Sequence, residues 1–528
     1  MKKFTNIPFV NIESIPLLIK DFLTQKIPGF ESDFFNVENI EKQFQQKEQS
    51  FSADKREVLC EVLKDQYSKF KLSEKQQTNL DYLALDQTFT VTTGHQLNLF
   101  TGPVFFIYKI LQTIKLAELL KEKFPTKNFV PLFWLASEDH DFEEINHFKT
   151  ENHYYEIKAK SGGAVGRIKV EDEFFISQFE EEYKNSIFGT ELIQLLKRAY
   201  KKGNTLSHAT SIIVQELFSE YGLVVLDGDE AKLKAQMKSV FKGELLHQNL
   251  FETTEETVNF LTEKYGKVQV NPREINLFFL SETRDRIAFE DDKFVIVDTD
   301  QYFTEEEILA ELENHPERFS PNALMRPVYQ EMILPNIAYI GGNAEIMYWL
   351  ELKNYFEKLN LPFPILIPRN SMLMISEKTV SKIEKSGLEL NDFFKNFATV
   401  TNELLMNGNE ILPLLNQQEI DLKEQFINLK QKAALTEKTF GNLVEAEETR
   451  QLKSFARMKK RLLRAEKIKQ SERLERLENL FQKIHPGNTW QERNYNFSVF
   501  YADLGREWLH NCYQELEVEN SELIIFTI

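Results

Sequence analysis

The stretch FVPLFWLA at residues 129–136 is apolar at nearly every position, and the polar stretch SEDHDFEEIN follows it directly at residues 137–146. An apolar run of this kind is typical of a strand that is covered on both faces, as in a parallel sheet. The abrupt change to acidic and imidazole side chains marks the carboxyl end of that strand. Because parallel sheets bind ligands at the carboxyl ends of their strands, this junction predicts both a fold class and part of a functional site.

Six more strand-like runs are separated by helical segments, which predicts an α/β protein with a parallel sheet. They are TFTVTT (88–93), LVVLD (223–227), NLFFL (276–280), KFVIV (293–297), IAYIG (337–341) and PILI (364–367). Two segments interrupt the alternation, a charged one over about 150–222 and a helical one over about 228–275. We interpret both as insertions in a core that spans residues 1–374.

Strand signals vanish from about residue 375 to 486, and two long helical patterns take their place. The apolar positions repeat at spacings of three and four residues, with a turn predicted near 439–442 and a phase slip between two heptad seams of the second helix. The apolar positions are Leu422, Phe426, Leu429 and Ala433, then Phe455, Met458, Leu462 and Ala465, then Leu474, Leu477, Phe481 and Ile484. This pattern predicts an antiparallel helical hairpin. Its second helix, of about 42 residues, would reach roughly 60 Å and is expected to serve as a dimerisation or docking arm.

The last segment, residues 487–528, has a helical pattern over 498–514 and ends in the apolar run LIIFTI at 523–528. We expect this run to return to the core sheet as a strand. The predicted arm would then lie between two segments of the core in the sequence.

Composition limits the class of protein. The chain has 528 residues, of which 42% are apolar and 28% charged, so collagen-like, disordered and disulfide-scaffold proteins are excluded. A formal net charge of −18 disfavours bulk nucleic acid and anionic membranes as partners. The only cysteines, Cys60 and Cys512, support neither a disulfide framework nor a thiolate zinc site. With no secretory signal and no apolar run long enough for a membrane helix, a cytoplasmic location is predicted.

The first candidate site is the turn TGHQLNLFTGP at residues 93–103, between a predicted strand and a predicted helix. Thr101 is expected as the N-cap and Pro103 in the first helical turn. Free N–H groups at the helix N-terminus would then hold a phosphate or carboxylate, with Lys109 adding charge. The alternative is a plain capped turn, because the stretch matches neither the dinucleotide fingerprint nor a Walker loop.

The second candidate site is the acidic cluster that follows FVPLFWLA, from Ser137 to Asp141, together with Glu143, Glu144 and His147. His140 or a neighbouring carboxylate could act as a general acid or base. Asp139, His140, Asp141 and His147 could instead ligate a cation, although no metal is predicted here. A solvated acidic turn that caps the next helix is the simpler interpretation.

Two further candidates follow the strands IAYIG and PILI. In the first, Glu345 lies beyond the Gly341-Gly342 turn and could take an amine or hydroxyl groups, while Arg326 could take a carboxylate or phosphate. Tyr348 has packing as its alternative role. In the second, Arg369 would reach the same sheet edge, unless it is only an exposed loop arginine.

Residues 450–476 contain eleven Lys or Arg residues against three Glu. A solvated helix face is the simpler interpretation of such a run. Contact with an RNA backbone or with an acidic protein surface is the alternative, but no exposed aromatic residues alternate with the charges.

Seven separated motifs together resemble the bacillithiol biosynthesis cysteine-adding enzymes, the BshC family. They occur in matching order over essentially the whole chain: TTGHQLNLFTGPVFFIYK, FWLASEDHDFEEINH, NLFFL with Arg284 and Arg286, SPNALMRPVYQE, LPNIAYIGGNAEIMYW, IPRNS and QERNYN. The resemblance implies a Rossmann-like core similar to class I nucleotidyltransferases, with connecting-peptide insertions, a coiled-coil domain and a homodimer. It also implies the last step of bacillithiol assembly.

In that step L-cysteine is joined to the amine of glucosaminyl-malate, with ATP, and its Mg²⁺, activating the cysteine carboxyl group. The expected catalytic residues are His140, Asp141, Asp139 and His95. Substrate or nucleotide contacts are expected at Gly94, Gln96, Thr101, Gly102, Pro103, Lys109, Ser137, Glu138, Asn322, Arg326, Gln330, Gly341, Gly342, Glu345, Tyr348, Arg369 and Ser371.

The sequence departs from the class I nucleotidyltransferase signatures, because His-x-Gly-His and Lys-Met-Ser-Lys-Ser are absent. ATP-dependent activation is therefore an expectation from the resemblance rather than from a motif. The competing interpretation is a non-catalytic RNA- or protein-binding module on a nucleotidyltransferase-like core.

Overall fold

The structure is a computed structural model that describes residues 1–528. Its strands form four sheets. In chain order they are β1 (Lys2–Pro8), β2 (Thr88–His95), β3 (Asn128–Leu135), β4 (His147–Lys149), β5 (Tyr154–Glu156), β6 (Val224–Asp227), β7 (Leu277–Leu280), β8 (Arg284–Glu290), β9 (Lys293–Ile296), β10 (Tyr302–Phe303), β11 (Phe319–Pro321), β12 (Asn336–Gly341), β13 (Ile365–Pro368), β14 (Ser371–Ile375) and β15 (Glu522–Thr527).

The α-helices lie between these strands and in the region that follows β14. In chain order they are α1 (Leu17–Leu23), α2 (Val37–Ser50), α3 (Ala53–Tyr67), α4 (Glu74–Leu83), α5 (Phe105–Lys123), α6 (Phe142–Ile145), α7 (Phe174–Tyr183), α8 (Gly189–Ala199), α9 (Leu206–Phe218), α10 (Ala231–Ala235), α11 (Lys238–His247), α12 (Asn249–Tyr265), α13 (Glu305–Asn314), α14 (Met325–Ile333), α15 (Asn343–Trp349), α16 (Lys353–Lys358), α17 (Glu377–Ser386), α18 (Phe397–Met406), α19 (Ile411–Ala433), α20 (Lys438–Lys469), α21 (Ser471–Ile484), α22 (Gln491–Asn494), α23 (Ser498–Leu504) and α24 (Arg506–Glu515). None of them is long and apolar enough to cross a membrane.

A five-stranded parallel sheet with the order β13-β12-β2-β3-β6 forms the centre of the fold. The threonine-rich and aromatic sequence of β2 and the apolar sequence of β3 are typical of strands buried on both faces, and both strands are buried almost throughout. Phe44 of α2 stacks on Phe89 of β2, at 5.0 Å between ring centroids, in the apolar core beneath the sheet. The predicted Rossmann-like α/β fold is confirmed.

The strand order reverses between β2 and β12, because β3 and β6 extend the sheet on one side and β12 and β13 on the other. All five strands point the same way, so their carboxyl ends meet at one edge. A reversal of this kind leaves a crevice outside the carboxyl ends, which is where ligands bind in open α/β sheets.

Two strand predictions are wrong in their sheet assignment. The runs at 276–280 and 293–297 form β7 and β9 of a separate antiparallel sheet with the order β10-β9-β8-β7-β11. The connections that join β7, β8 and β9 are too short for a parallel crossover, and Asp291 and Asp292 both have positive φ in the β8–β9 hairpin. The Asp-Asp pair was the local signal for this turn.

The predicted final strand also belongs to another sheet. β15 lies between β1 and β14 in a three-stranded sheet rather than in the parallel one, and it pairs antiparallel with β1 from Lys2–Thr527 to Pro8–Glu522. The helical pattern before it is divided into α23 and α24 at Gly505, whose φ is +58°. The first and last strands of the chain are therefore direct neighbours.

The chain divides into two compact units. The first contains residues 1–11, 15–374 and 489–528, and the second contains residues 12–14 and 375–488. In the second, α19 and α20 form an antiparallel hairpin, with Phe426, Ala433 and Val444 in its apolar core and ion pairs from Lys459 to Glu419 and from Lys430 to Glu448.

The hairpin differs from its prediction at two points. The connection lies at residues 434–437, before the predicted turn at 439–442, and the long second helix is broken at Gln470 into α20 and α21. Gln470 sits at the predicted phase slip and caps the end of α20 with non-helical dihedral angles of φ −109° and ψ 28°. A change of heptad phase is accommodated here by a break rather than by a continuous supercoil.

The loop after β13 is held to the C-terminal segment by a buried ion pair. Arg369 donates two hydrogen bonds to Glu492, of 3.0 and 2.7 Å, and both side chains are almost fully buried. Ser371 Oγ and the Met372 N–H donate to the same carboxylate at 2.9 and 3.2 Å. The motifs IPRNS and QERNYN are thus two halves of one structural contact.

Replacing Glu492 with Ala is expected to destabilise the protein by about 3–5 kcal/mol, because it leaves the Arg369 cation buried without a partner. Urea unfolding followed by circular dichroism measures this loss. The control is Glu519→Ala, which removes an ion pair of Lys123 that is half exposed and should cost less than about 1 kcal/mol. Equal effects of the two substitutions would contradict the structural role assigned to Glu492.

Candidate functional site

A cavity of about 760 Å³ opens at the carboxyl edge of the parallel sheet, beside the point where the strand order reverses. The ends of β2, β3, β12 and β13 form its floor. Its wall is formed by residues of α14 and α15, residues 270–273, the β7–β8 hairpin, the Pro321–Ala323 segment and Arg493. The inserted antiparallel sheet therefore closes one side of the crevice that the parallel sheet creates.

Most of the residues predicted for the site line this one cavity. They are Gly94, His95, Gln96, Ser137, Glu138, Asp139, His140, Asn322, Arg326, Gly342, Glu345, Tyr348 and Arg369. The remaining predicted residues, Thr101, Gly102, Pro103, Lys109, Asp141, Gln330, Gly341 and Ser371, are not on its wall. The four separated candidate sites are thus largely one site.

Lys109 and Glu345 form an ion pair beneath the cavity floor. The ammonium group of Lys109 donates to both oxygens of Glu345, at 2.6 and 2.8 Å, and to the Gly94 carbonyl at 2.6 Å. Tyr339 donates to Glu345 at 2.6 Å. Burial alone would raise the pKa of Glu345, but Lys109 and Tyr339 outweigh it and hold the pKa below its usual value. Lys109 is therefore committed to this pair and is not a free cation for a phosphate.

The predicted phosphate cradle at residues 93–103 is wrong in its geometry. α5 begins at Phe105, and Thr101 lies before it in a 3₁₀ turn with a φ of +68°, so Thr101 does not cap the helix. The Val104 N–H donates to the Tyr495 carbonyl at 2.8 Å, and the Phe106 N–H donates to Pro103. Asn496 closes the turn by donating to the Phe100 and Gly102 carbonyls, each at 2.7 Å. The C-terminal segment thus occupies the position where a ligand was expected.

Close packing restricts the side chains that positions 94 and 102 can hold. A Cβ at Gly94 would lie 3.3 Å from the Cβ of Trp134, and one at Gly102 would lie 2.6 Å from the Cβ of Asn98. Gly102 also has a φ of +60°. Both positions therefore favour the smallest side chain.

The imidazole of His95 has one nitrogen engaged and sits between two aromatic rings. Its Nδ1 lies 3.2 Å from the carbonyl oxygen of Gln96, and the Phe105 and Phe106 rings are 5.2 and 5.3 Å away between centroids. Burial, reinforced by the nearby Lys109 cation, lowers the pKa of His95 to about 3. The ring is therefore neutral at physiological pH.

The acidic cluster after β3 is internally bonded. Asp139 accepts hydrogen bonds from the Gln96 side chain at 2.7 Å and from the His140 N–H at 2.7 Å. Asp141 accepts from the Glu144 N–H at 3.3 Å and caps α6, which explains its absence from the cavity wall. Ser137 donates to Asp227, and Lys234 pairs with Glu138 at 2.5 Å. No group of three or more His, Cys, Asp or Glu side chains is arranged to hold a metal ion.

Gln330 and Ser371 have structural partners instead of ligand contacts. Gln330 is buried, accepts from Arg326 at 3.0 Å and donates to Glu331 at 2.9 Å, so it orients an arginine that does line the cavity. Ser371 is bonded to Glu492. Asn322, on the wall, accepts from the Leu324 and Met325 N–H groups at the start of α14.

Arg284, which the sequence analysis quoted within a family motif but did not predict as a site residue, lines the cavity. It is buried, and its guanidinium donates to Ser320 Oγ at 2.9 Å, to the Pro321 carbonyl at 2.8 Å and to His140 Nδ1 at 2.8 Å. It also lies 4.0 Å from the centroid of the Phe278 ring. The alternation Arg284-Asp285-Arg286 in a hairpin strand places both arginines on one face, and that period of two was the available signal.

Three more arginines line the cavity with no acidic partner. Arg273, Arg286 and Arg493 are exposed on its wall, and none of them forms an ion pair in the structure. Of the three acidic residues of the wall, Glu138 pairs with Lys234 and Glu345 with Lys109, and Asp139 accepts hydrogen bonds from Gln96 and the His140 N–H. The cavity therefore offers uncompensated positive charge, within a chain whose net charge is −18.

The fold and this cavity define a Rossmann-like α/β protein with an arginine-lined cleft at the topological switch point. Two family models match the chain: the N-terminal Rossmann-like domain of bacillithiol biosynthesis BshC over residues 5–370, and the C-terminal coiled-coil domain of bacillithiol biosynthesis BshC over residues 372–528. The chain belongs to the bacillithiol biosynthesis BshC family.

Curated relatives are similar in sequence to this chain over most of its length. A protein of Flavobacterium johnsoniae is 42% identical over 97% of both chains, and one of Christiangramia forsetii is 40% identical over 97% of this chain and 96% of its own. A protein of Cytophaga hutchinsonii is 37% identical over 88% of this chain and 87% of its own. Each carries the name "Putative cysteine ligase BshC".

The depressed pKa of His95 predicts a specific loss of stability in acid. The unfolded chain takes up a proton at this histidine below its ordinary pKa of 6.5, whereas the folded chain does so only near pH 3. The contribution of His95 is therefore complete above pH 6.5 and is lost as the pH falls toward 3, at up to about 1.4 kcal/mol per pH unit. Between pH 7 and 4.5, wild type should lose more unfolding free energy than His95→Gln in urea titrations. Parallel pH curves for the two proteins would disprove the shift.

Proposed function

We propose that the protein is an ATP-dependent cysteine ligase that joins L-cysteine to the amine of glucosaminyl-malate in the last step of bacillithiol biosynthesis. The names of the relatives support a cysteine ligase. The observation that carries the finer proposal is the unpartnered positive charge of Arg273, Arg286 and Arg493 around one cavity. Both the malyl carboxylates and the phosphates of ATP are anions that such a wall would attract.

The reaction needs activation because a free carboxylate is a poor electrophile. A carboxylate oxygen of cysteine attacks a phosphorus atom of ATP, a C–O–P linkage forms, and a P–O bond breaks to release pyrophosphate or ADP. The neutral amine then attacks the acyl carbon, so that a C–N bond forms while the acyl C–O bond breaks. AMP or phosphate leaves with the bonding electrons, and the amine nitrogen gives up one proton to an oxygen of the departing phosphate group or to water.

The size of the cavity and the charge of its wall support the binding of anionic substrates. Its volume of about 760 Å³ lies within the range for small-molecule sites, and its free cations come from three different segments of the chain. Mg²⁺ would enter with ATP, held mainly by phosphate oxygens and water. The buried Nε of Arg369 has no hydrogen-bond partner and adds one more donor close to the cavity.

Purified protein supplied with cysteine, ATP and glucosaminyl-malate should form bacillithiol, detected by mass spectrometry together with either AMP or ADP. Arg493→Gln should lower kcat/KM by at least about tenfold through loss of a charge-assisted contact. The matched control is Arg506→Gln, an arginine outside the cavity that pairs with Glu216. Absence of product, also after addition of extract from a bacillithiol-producing strain, would contradict the proposal.

We also propose a homodimer formed through the helical hairpin. Ile420 and Ile427 are seven residues apart on α19 and are both exposed, as are Leu414 and Leu443. Residues seven apart lie on the same face of a helix, where a second copy would cover them. The short apolar core of the hairpin itself does not use these side chains.

The double substitution Ile420→Glu/Ile427→Glu should convert a dimer to a monomer, because it places like charges where two apolar faces would meet. Light scattering coupled to gel filtration measures the mass of each form. Ile187→Glu, at an exposed isoleucine of the first unit, serves as control. A wild-type protein that elutes as a 62.1 kDa monomer would refute the dimer.

A further inference from the structure

The Nδ1 atom of one cavity histidine contacts a hydrogen-bond donor, and the Nδ1 atom of the other contacts a hydrogen-bond acceptor. His140 Nδ1 lies 2.8 Å from Nη1 of Arg284, and His95 Nδ1 lies 3.2 Å from the carbonyl oxygen of Gln96. A guanidinium can only donate a hydrogen bond, and a carbonyl oxygen can only accept one. The proton positions on both rings follow from this difference.

Because Arg284 donates to it, His140 Nδ1 carries a lone pair and no proton. The neutral ring must then hold its proton on Nε2. In His95 the order is reversed, since Nδ1 donates to Gln96 and Nε2 keeps the lone pair. Neither neighbour can exchange its role, so each ring is fixed in one tautomer.

The contacts around His140 make this assignment rigid. Arg284 is held by Ser320 and Pro321 as well, so its guanidinium cannot turn away from the imidazole. The only acidic group near His140 Nδ1 is Asp139, at 3.6 Å, beyond hydrogen-bond distance and already bonded to Gln96 and to the His140 N–H. Phe278 lies beside both the His140 ring and the guanidinium, and it offers no competing acceptor.

The surroundings of His95 fix the other tautomer, in which Nδ1 carries the proton. Lys109 is the nearest cation but is bound to Glu345 and Gly94, and Arg369 is bound to Glu492. Phe105 and Phe106 confine the ring. No protein group contacts Nε2 of either histidine by hydrogen bond, and both rings reach the cavity.

We propose that His140 acts as a fixed hydrogen-bond donor and His95 as a fixed hydrogen-bond acceptor, with Arg284 as the positioning residue that denies His140 the role of general base. The inference rests on the proposed ligase reaction for its chemistry. His140 Nε2–H stabilises the oxygen on which negative charge develops when the amine attacks the acyl carbon. His95 Nε2 accepts a hydrogen bond from an N–H of the attacking amine and so directs the nitrogen lone pair to the acyl carbon.

Substitutions of His140 test whether this residue acts as a hydrogen-bond donor or as a general base. Glutamine places an amide N–H close to the position of Nε2, whereas asparagine reaches only the position of Nδ1, beside Arg284. We expect His140→Gln to keep kcat within about tenfold of wild type, and His140→Asn and His140→Phe to lose about 10²–10³-fold, as on removal of one transition-state donor. The pH profile of His140→Gln should keep the shape of the wild-type profile. Equal inactivation by Gln, Asn and Phe, or loss of an acidic limb in His140→Gln, would overturn the proposal.

Nitrogen NMR of ¹⁵N-histidine-labelled full-length protein tests the tautomers without any turnover. His140 and His95 are assigned by comparison with His140→Gln and His95→Gln. In its neutral form His140 should show an unprotonated Nδ1 and a protonated Nε2, and His95 should show the reverse at pH 7. Arg284→Met should give His140 a mixture of tautomers, and Arg284→Lys should restore the single form. A protonated Nδ1 on neutral His140 in the wild type would overturn the proposal even if the protein forms bacillithiol. If the protein does not form bacillithiol, the spectra still test the tautomer of each histidine.

Discussion

The buried ion pair between Lys109 and Glu345 is the contact that the floor of the cavity depends on. It joins α5 to α15, and through the Gly94 carbonyl and Tyr339 it also joins the carboxyl ends of β2 and β12. Burial of two charges costs several kcal/mol unless every polar atom is bonded, and here four hydrogen bonds meet that requirement. The two strands between which the sheet order reverses are therefore locked at one spacing, which keeps the crevice open.

The rest of the cavity is built on this floor by segments that are distant in sequence. The inserted antiparallel sheet contributes Arg284 and Arg286, residues 270–273 contribute Arg273, and the C-terminal segment contributes Arg493. Lys109 and Lys234 neutralise Glu345 and Glu138, whereas Arg273, Arg286 and Arg493 have no acidic partner. A protein with a strongly negative total charge thus concentrates local positive potential where anionic substrates would bind.

Sequence patterns predicted the parts of this arrangement that depend on local order. The apolar run at residues 129–136 followed by SEDHD located a buried strand and its ligand-binding end, and the motifs at four strand ends proved to line one cavity. The predictions were wrong or incomplete where a residue's hydrogen-bond partner comes from a distant part of the sequence. The Tyr495 carbonyl accepts from the Val104 N–H, and Asn496 donates to carbonyl oxygens of the same turn, neither of which the local sequence indicates. The hydrogen bond from Arg284 to His140 joins residues 144 positions apart. Hydrophobic period also cannot distinguish a strand of a parallel sheet from one of a short antiparallel hairpin, which is why β7 and β9 were placed in the wrong sheet.

The pairing of β1 with β15 has a consequence for biosynthesis. β15, the only sheet neighbour of β1, is synthesised long after β1, so the edge of β1 has no neighbour until β15 emerges. Glu492, which neutralises Arg369, also emerges only after the helical hairpin. An unpaired strand edge and a buried charge awaiting its counterion are both hazards for a nascent chain. The first unit can therefore complete this sheet and this buried ion pair only after Glu492 and β15 have been synthesised.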